Sequence, residues 1–262
     1  MDADNKNTLP DVQSARDGRN IAIDRVGVRG ITVPITVETK EDTLATVATV
    51  EMTVSLPADK KGTHMSRFVA LMEEHSEPLN VDVVRSLMAD MLKRLDAVDG
   101  TIELRFPFFI RKCAPVSKLT SLMNYEAAWI ADSRGGVITV RQETATPVTS
   151  LCSKEISRYG AHNQRSRLTA SVELSAPMSL EEQIAYSEEA ASCQLWARLK
   201  RSDEKYVTEY AYDHPKFVED IVRDMAAALN KEEPVGAYRV EAENFESIHN
   251  HSAYAYITHD KR

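Results

Sequence analysis

The sequence contains few cysteines and no long apolar run. Its three cysteines, at positions 113, 152 and 193, are an odd number and widely spaced among 262 residues, so they do not make a disulfide framework. This spacing favours a reducing compartment, and we expect a cytoplasmic protein. The polar, acidic N-terminus is unlike a signal peptide, and no stretch approaches the roughly 18 apolar residues of a membrane-spanning helix.

A basic excess is also missing. The chain has 32 basic and 40 acidic residues and a net charge of −8. Proteins that bind nucleic acids need a basic surface, so the charge balance argues against that class. The basic segment Lys60–Arg67 lacks the spacing of a P-loop, which argues against a P-loop NTPase.

Apolar periodicity predicts an alternation of strands and helices. Strand patterns occur at 50–55, 102–108, 120–131, 136–148, 168–174, 236–243 and 251–258. Helical spacing covers 80–96, a capping box at Ser179–Glu182 opens a helix predicted to run to about Arg201, and another helix starts near Pro215. Strands joined by hairpins, with helices gathered between them, predict an α+β chain with antiparallel sheet.

Two segments carry side chains suited to metal binding or proton transfer. Cys152 and His162 lie on either side of a polar turn, and a thiolate with an imidazole suits Zn²⁺ or a similar ion. Glu246, His249 and His251 follow within six residues, and a carboxylate can orient a histidine. The alternatives are a buried cysteine with a surface histidine, and a polar connection between two strands.

Two further carboxylates and one basic segment are candidates. Glu204, in a charge run typical of a solvated helix end, could serve as an oxygen ligand. Glu219 falls in a first helical turn, where an acid is ordinary, yet its carboxylate could accept two N–H groups from a guanine edge. His64 and Arg67 precede or begin a helix whose N-terminal amides could hold phosphate, although a surface loop is the simpler interpretation.

Taken together, these segments resemble the prokaryotic GTP cyclohydrolase IB family over nearly the whole chain. The matching stretches are Leu9 to Ser14, Lys61 to Phe68, Ala114 to Ser117, Ser121 to Met123, Thr149 to Ser166, Asp203 to Glu209, Pro215 to Asp220, and Glu243 to Ala255.

The resemblance implies a fold and an assembly. The fold would be α+β with tandem tunnelling-fold units, whose antiparallel sheets carry helices on one face and assemble into oligomeric barrels. Residues 1–20 would be a flexible arm, 21–150 the first unit and 151–262 the second. The family is usually a homotetramer with sites at subunit interfaces.

The resemblance also implies residue roles. Cys152, His162 and Glu204 would hold one divalent metal ion per site, zinc, manganese or iron, and Glu219 would anchor the purine of GTP. Glu246, His249 and His251, together with Cys152, would be the catalytic groups. Lys154, His64 and Arg67 would contact the triphosphate. The implied reaction converts GTP and water to 7,8-dihydroneopterin triphosphate and formate in folate biosynthesis.

The chain departs from the family's usual pattern beside the predicted metal site. Most members read Thr-Ser-Leu-Cys-Pro-Cys-Ser-Lys, whereas here Leu151 is followed directly by Cys152, Ser153 and Lys154. This shorter loop leaves open a weakened paralogue that keeps the purine pocket and the oligomer and acts by binding. A third alternative, a deazaguanine nitrile reductase of the same fold, is disfavoured because its reductase motif is missing from the sequence.

Overall fold

The computed structural model describes residue 13, residues 15–153 and residues 155–262. Residues 1–12 and 14 of the predicted arm, and the predicted triphosphate contact Lys154, lie outside the described residues. The elements are β1 (Ile23–Glu38), β2 (Thr43–Leu56), α1 (Met65–Glu73), α2 (Val81–Leu95), β3 (Gly100–Cys113), β4 (Thr120–Arg134), β5 (Val137–Leu151), β6 (Asn163–Leu174), α3 (Leu180–Ala190), β7 (Cys193–Gln194), α4 (Arg201–Asp213), α5 (Val218–Lys231), β8 (Val235–Asn244) and β9 (Ala253–Asp260).

The strands of the described residues form one antiparallel sheet. Its order is β1-β2-β3-β4-β5-β6-β8-β9, and the short β7 pairs with β5. The long β5 joins the two halves of the chain, because it pairs with β4 from Val137 to Ala145 and with β6 from Arg141 to Leu151. Beyond Ala145, β5 no longer pairs with β4, and the same edge of β5 pairs with β7.

The predicted fold class is therefore corrected. Tandem tunnelling-fold units with sheets of their own, assembling into barrels, were expected. Instead the strands of both halves belong to a single sheet over a shared core, in which Trp129 of β4 and Val172 of β6 are buried in the same cluster. The guanidinium of Arg85 on α2 adds a further link, donating to the carbonyl oxygens of Ile138 and Leu174 at 3.1 and 3.2 Å.

The two faces of the sheet differ in polarity because side chains alternate along each strand. One face is apolar and packs against the helices, as with Ile102, Leu104 and Phe106 of β3. The opposite face carries arginine–carboxylate pairs, including Arg29 with Glu51. Burial of the apolar face is the main favourable term that holds the helices on the sheet.

Local signals place the starts of α2 and α3, but not the end of α3. Asn80 caps α2 by accepting from the backbone N–H of Val83 at 2.9 Å, and the predicted capping box opens α3. However, α3 ends at Ala190 and not near 201. Ala191 is extended, and the next residues pair with β5, so tertiary pairing overrides continuation of the helix.

None of the helices in the described part of the chain is long and apolar enough to cross a membrane.

Candidate functional site

The predicted site residues gather mostly at one end of the sheet, which we call the loop end. There β5 ends at Leu151 opposite the start of β6 at Asn163, and β8 ends at Asn244 opposite the start of β9 at Ala253. The loop end comprises the turn 114–119, the loop 152–162 without residue 154, the starts of α4 and α5, and the loop 245–252. Antiparallel pairing brings these connections together because the strands they join end at the same level of the sheet.

Cys152 and His162 close the neck of the loop 152–162. The backbone N–H of Cys152 donates to the carbonyl oxygen of His162 at 3.4 Å, continuing the β5–β6 pairing by one step. The Cys152 thiol is free and partly exposed. The structure thus brings the backbones of Cys152 and His162 together at the base of this loop.

The His162 ring lies beside Glu246 from the β8–β9 loop. His162 Nδ1 is 4.0 Å from Glu246 Oε2, with side-chain exposures of 15% and 9%. The ring nitrogen also lies 3.0 Å from Gln164 Oε1 and 3.4 Å from Ser247 Oγ. A carboxylate, an amide and a hydroxyl therefore surround one nitrogen of the imidazole.

His249 and His251 stand further out in the same loop. Their rings stack with centroids 5.1 Å apart, and both side chains are exposed. His251 Nδ1 lies 3.2 Å from Asn250 Oδ1. The two rings can exchange protons with solvent or with a bound molecule, as a general acid or base requires.

Glu204 lies in the first turn of α4, a helix that was not predicted. Val207 and Ala211 follow at helical spacing on the same face, and they pack with Leu151, Cys193 and Ala161 at the loop end. Glu204 itself is exposed. Its carboxylate therefore belongs to the face of α4 directed toward the end of β5.

Asp203, the neighbour of Glu204, fixes the start of α4 to the β3–β4 turn. The buried carboxylate accepts the backbone N–H groups of Val116 and Ser117 at 2.9 and 2.8 Å, and the Ser117 hydroxyl at 2.6 Å. Burial alone would raise the pKa of Asp203, but these hydrogen bonds and one from the Lys200 N–H hold that pKa well below its usual range.

Glu219 lies in the first turn of α5, at the loop end. The backbone N–H of Lys216 donates to the carbonyl oxygen of Leu151 at 3.0 Å, which ties the start of α5 to the end of β5. The Glu219 side chain lies exposed in the first turn of the helix. A carboxylate in this position is favoured by the helix dipole and remains available to a ligand.

His64 and Arg67 are not near the other predicted residues within one chain. They lie at the start of α1, between the end of β2 and the start of β3, which is the end of the sheet opposite the loop end. Arg67 donates to the carbonyl oxygen of Arg94 at 2.7 Å, close to the C-terminus of α2. A triphosphate bound at the loop end of one chain would not reach these two residues of the same chain.

The metal prediction fits the structure in donor type but not in completeness. Among the described residues, no group of three or more His, Cys, Asp or Glu side chains is arranged to hold a metal ion. Cys152 and His162 supply the soft and borderline donors that zinc-type ions prefer, yet Glu204 does not complete a site with them in a single chain.

A buried ion pair lies close to the loop end. Lys112 Nζ lies 2.7 Å from Glu188 Oε1 and donates to the Leu195 carbonyl oxygen at 2.8 Å. Tyr125 donates to the same carboxylate oxygen at 2.7 Å. Burial lowers the pKa of Lys112 and raises the pKa of the nearby Cys193 thiol to about 11. The pair fastens the chain between β7 and α4.

Cavities lie on the charged side of the sheet. One of about 540 Å³ is lined by Arg105 and Arg167, but both arginines are paired with carboxylates. Another, of about 380 Å³, lies on the same charged side near the loop end and is lined by Arg165 and Phe245. The smaller of these two cavities is the one nearer the loop end.

Sequence reasoning missed the residues that hold the predicted ones in place. Gln164 shares a strand face with His162 at a spacing of two, and this period was the available signal. Asp203 stood next to Glu204 in the charge run and carried no signal of its own, because its partners at 116 and 117 are distant in sequence.

Comparison with known proteins places the chain in a family. The profile of the family described as type I GTP cyclohydrolase folE2 matches residues 9–255. A protein named GTP cyclohydrolase FolE2 from Ralstonia nicotianae is 57% identical over 256 residues, covering 97% of this chain and 96% of the relative. GTP cyclohydrolase FolE2 2 from Cupriavidus metallidurans is 56% identical over 256 residues, with the same coverage.

Solved structures of similar fold include uricases. Uricase from Arthrobacter globiformis gives a TM-score of 0.51 at 6% identity, covering 90% of this chain and 93% of that one. A hyperthermostable mutant of Bacillus sp. urate oxidase gives 0.52 at 8% identity, covering 91% and 99%. Together with the single continuous sheet, these neighbours replace the predicted fold class with a uricase-like one. By sequence, the chain belongs to the type I GTP cyclohydrolase FolE2 family.

Proposed function

We propose that this chain is a metal-dependent GTP cyclohydrolase of the prokaryotic IB type, which converts GTP and water to 7,8-dihydroneopterin triphosphate and formate. The observation that carries the proposal is the 57% identity to a named GTP cyclohydrolase over 97% of the chain. The grouping of Cys152, His162 and Glu246 at the loop end supports it. No observation favours the weakened paralogue that acts by binding.

The protein's own groups can bind and orient the purine. The Glu219 carboxylate would accept the N1–H and exocyclic N–H of guanine, a charge-assisted pair that fixes the register of the base. The cavity of about 380 Å³ near the loop end would offer Arg165 and the exposed ring of Phe245 to the nucleotide. Lys154, His64 and Arg67 are the proposed triphosphate contacts.

Proton transfer would fall to the histidines and Glu246. Water adds to C8 of guanine, and His249 or His251 would protonate N7 or the departing nitrogen as formate leaves. The opened ribose then rearranges, and the new ring closes. Glu246, beside His162, would hold the proton that the attacking water gives up.

One divalent ion per site, zinc, manganese or iron, is proposed to be held by Cys152, His162 and Glu204. When bound, such an ion supplies a water whose pKa is lowered toward neutrality. Because one chain does not complete the donor set, we propose a homo-oligomer, a tetramer in the simplest case, whose sites form between subunits. This arrangement would also bring His64 and Arg67 of another copy to the loop end.

The cellular setting follows from chemistry and family. The free cysteines suit a reducing cytoplasm. The product is a pterin triphosphate, so we place the enzyme at the entry to tetrahydrofolate biosynthesis. Neither nucleic acid nor a membrane is a proposed partner.

The test is incubation of the pure protein with GTP and Mn²⁺ or Zn²⁺, followed by dihydroneopterin fluorescence and formate release. We expect turnover that a chelator abolishes and added ion restores. Glu246→Gln should lower kcat by about 100-fold or more, since a positioned acid–base group contributes on that scale. Glu243→Gln, three residues away on β8, is the matched control. Unchanged GTP with every ion would refute the proposal.

A further inference from the structure

Gln164 bridges the two titratable groups at the centre of the loop end. Its Oε1 lies 3.0 Å from His162 Nδ1, and its Nε2 lies 3.4 Å from Glu246 Oε1. The same Nε2 donates to Ser150 Oγ at 2.9 Å, and Ser150 accepts from Ser166 at 2.7 Å. Gln164 is buried, so its amide must find its partners within this network.

The carboxylate of Glu246 decides which way the amide faces. An ionised carboxylate only accepts hydrogen bonds, so the NH₂ end of Gln164 must face it. Reversal would place the amide oxygen against the carboxylate and leave Nε2 toward the ring. The oxygen end of Gln164 therefore faces His162 Nδ1.

That orientation fixes the proton on the His162 ring. In a neutral imidazole, one nitrogen donates and the other accepts, and the bond made by one sets the state of the other. Gln164 Oε1 can only accept, so Nδ1 carries the hydrogen and Nε2 keeps its lone pair. A free histidine side chain favours the opposite tautomer, with the hydrogen on Nε2.

We propose that Gln164 is a positioning residue that holds neutral His162 in the Nδ1–H tautomer, with its amide orientation set by Glu246. Its consequence for the reaction rests on the proposed function, because His162 needs a free Nε2 to bind an ion or accept a proton there. The tautomer itself does not depend on that function. One ordinary hydrogen bond shifts such a ratio by about five- to tenfold.

The direct measurement is nitrogen-15 NMR of histidine-labelled protein. Spectra are recorded about two pH units above the ordinary pKa of an imidazole, so that the neutral form dominates. The His162 signal is assigned by its loss in His162→Asn. We expect the pattern of a protonated Nδ1 in the wild-type protein. An Nε2–H pattern there would overturn the proposal.

Variants separate the role of the amide from general packing. Gln164→Met keeps the length and burial but cannot bond to the ring, so His162 should shift toward the Nε2–H form by about five- to tenfold. Glu246→Gln should produce a mixture of tautomers, because the amide of Gln164 is then free to reverse. Asn163→Ala, an exposed amide one position away, is the control and should leave the His162 signal unchanged.

Each possible outcome bears on the proposal. If Gln164→Met fails to fold, the wild-type spectrum and the Glu246→Gln mixture still decide it. In the active enzyme, Gln164→Met should lower kcat about tenfold and leave KM for GTP nearly unchanged, since the amide acts through the ring. An inactive wild-type protein with the Nδ1–H pattern would refute the proposed function and leave the tautomer assignment standing.

Discussion

The Ser117 hydroxyl donates to the carboxylate of Asp203 at 2.6 Å, joining the β3–β4 turn to the first turn of α4. The two residues are far apart in sequence, yet this bond and its backbone neighbours position the helix that carries Glu204. The contact is internal to the fold and needs no ligand. It therefore gives a means of moving Glu204 without altering its chemistry.

Replacing Asp203 should loosen the start of α4. Asp203→Asn keeps the shape but loses the charge, so the hydrogen bonds from Val116, Ser117 and Lys200 weaken. We expect the Tm to fall by several degrees at pH 7 and GTP turnover to drop with it. Asp213→Asn, at the exposed end of the same helix, is the control in thermal unfolding.

The same pair of proteins should show a defined pH dependence. The folded-state pKa of Asp203 is depressed below its usual value of 3.8, so its stabilising effect is present above that value and is lost as pH falls through the folded-state pKa. The Tm difference between wild type and Asp203→Asn should therefore narrow on acidification below about pH 4. A difference that stays constant with pH would contradict the assigned charge.

The sequence predicted those parts of the structure whose signals lie in a short stretch of the chain. Periodicity and caps placed α2, the start of α3 and the apolar face of α5, because those residues bury one side against the sheet. α4 escaped prediction since few of its side chains are buried. The end of α3 and the single sheet depend on pairing between distant segments, which local patterns do not contain.

The site residues also fall into those that the sequence identified and those that only the structure shows. Cys152, His162 and Glu246 were singled out by residue type and family pattern, and the structure brings them to one end of the sheet. Gln164 and Asp203 are ordinary polar residues whose importance comes only from their partners. Those partnerships become visible once the strands are in register.

The buried pair of Lys112 and Glu188 should be sensitive to loss of either partner. Glu188→Ala leaves the ammonium group of Lys112 buried without its counter-ion, which typically costs about 3–5 kcal/mol of unfolding free energy. Chemical denaturation would measure the loss, and Glu189→Ala, the exposed neighbour, should change little. The double variant Lys112→Met with Glu188→Leu should recover much of the stability, because it removes both charges together.

The three cysteines should differ in reactivity. Burial raises the pKa of Cys193 to about 11, whereas Cys113 is exposed and Cys152 partly exposed. At pH 8 only about one in a thousand Cys193 side chains would be the reactive thiolate. Labelling of the native protein with a thiol reagent should therefore leave Cys193 unmodified until the chain unfolds. The variant Cys193→Ala should not change the rate at which Cys113 and Cys152 are labelled. Rapid labelling of Cys193 in the native state would contradict its placement.

Mixing inactive variants should reveal a site shared between subunits. Within one chain, Arg67 lies at the opposite end of the sheet from Glu246, so a single chain cannot use both at one site. If neighbouring copies complete each other's sites, Arg67→Ala and Glu246→Gln should each impair turnover. Co-refolding the two variants should then restore part of the turnover, because some mixed sites contain both intact residues.

Light scattering would measure the size of the oligomer in the same samples. Arg25→Ala removes an exposed arginine of β1 that has no assigned role, and it is the control for the loss of an arginine. If mixed oligomers of confirmed composition show no recovery of turnover, each site belongs to a single chain. Arg67 is then not one of the triphosphate contacts.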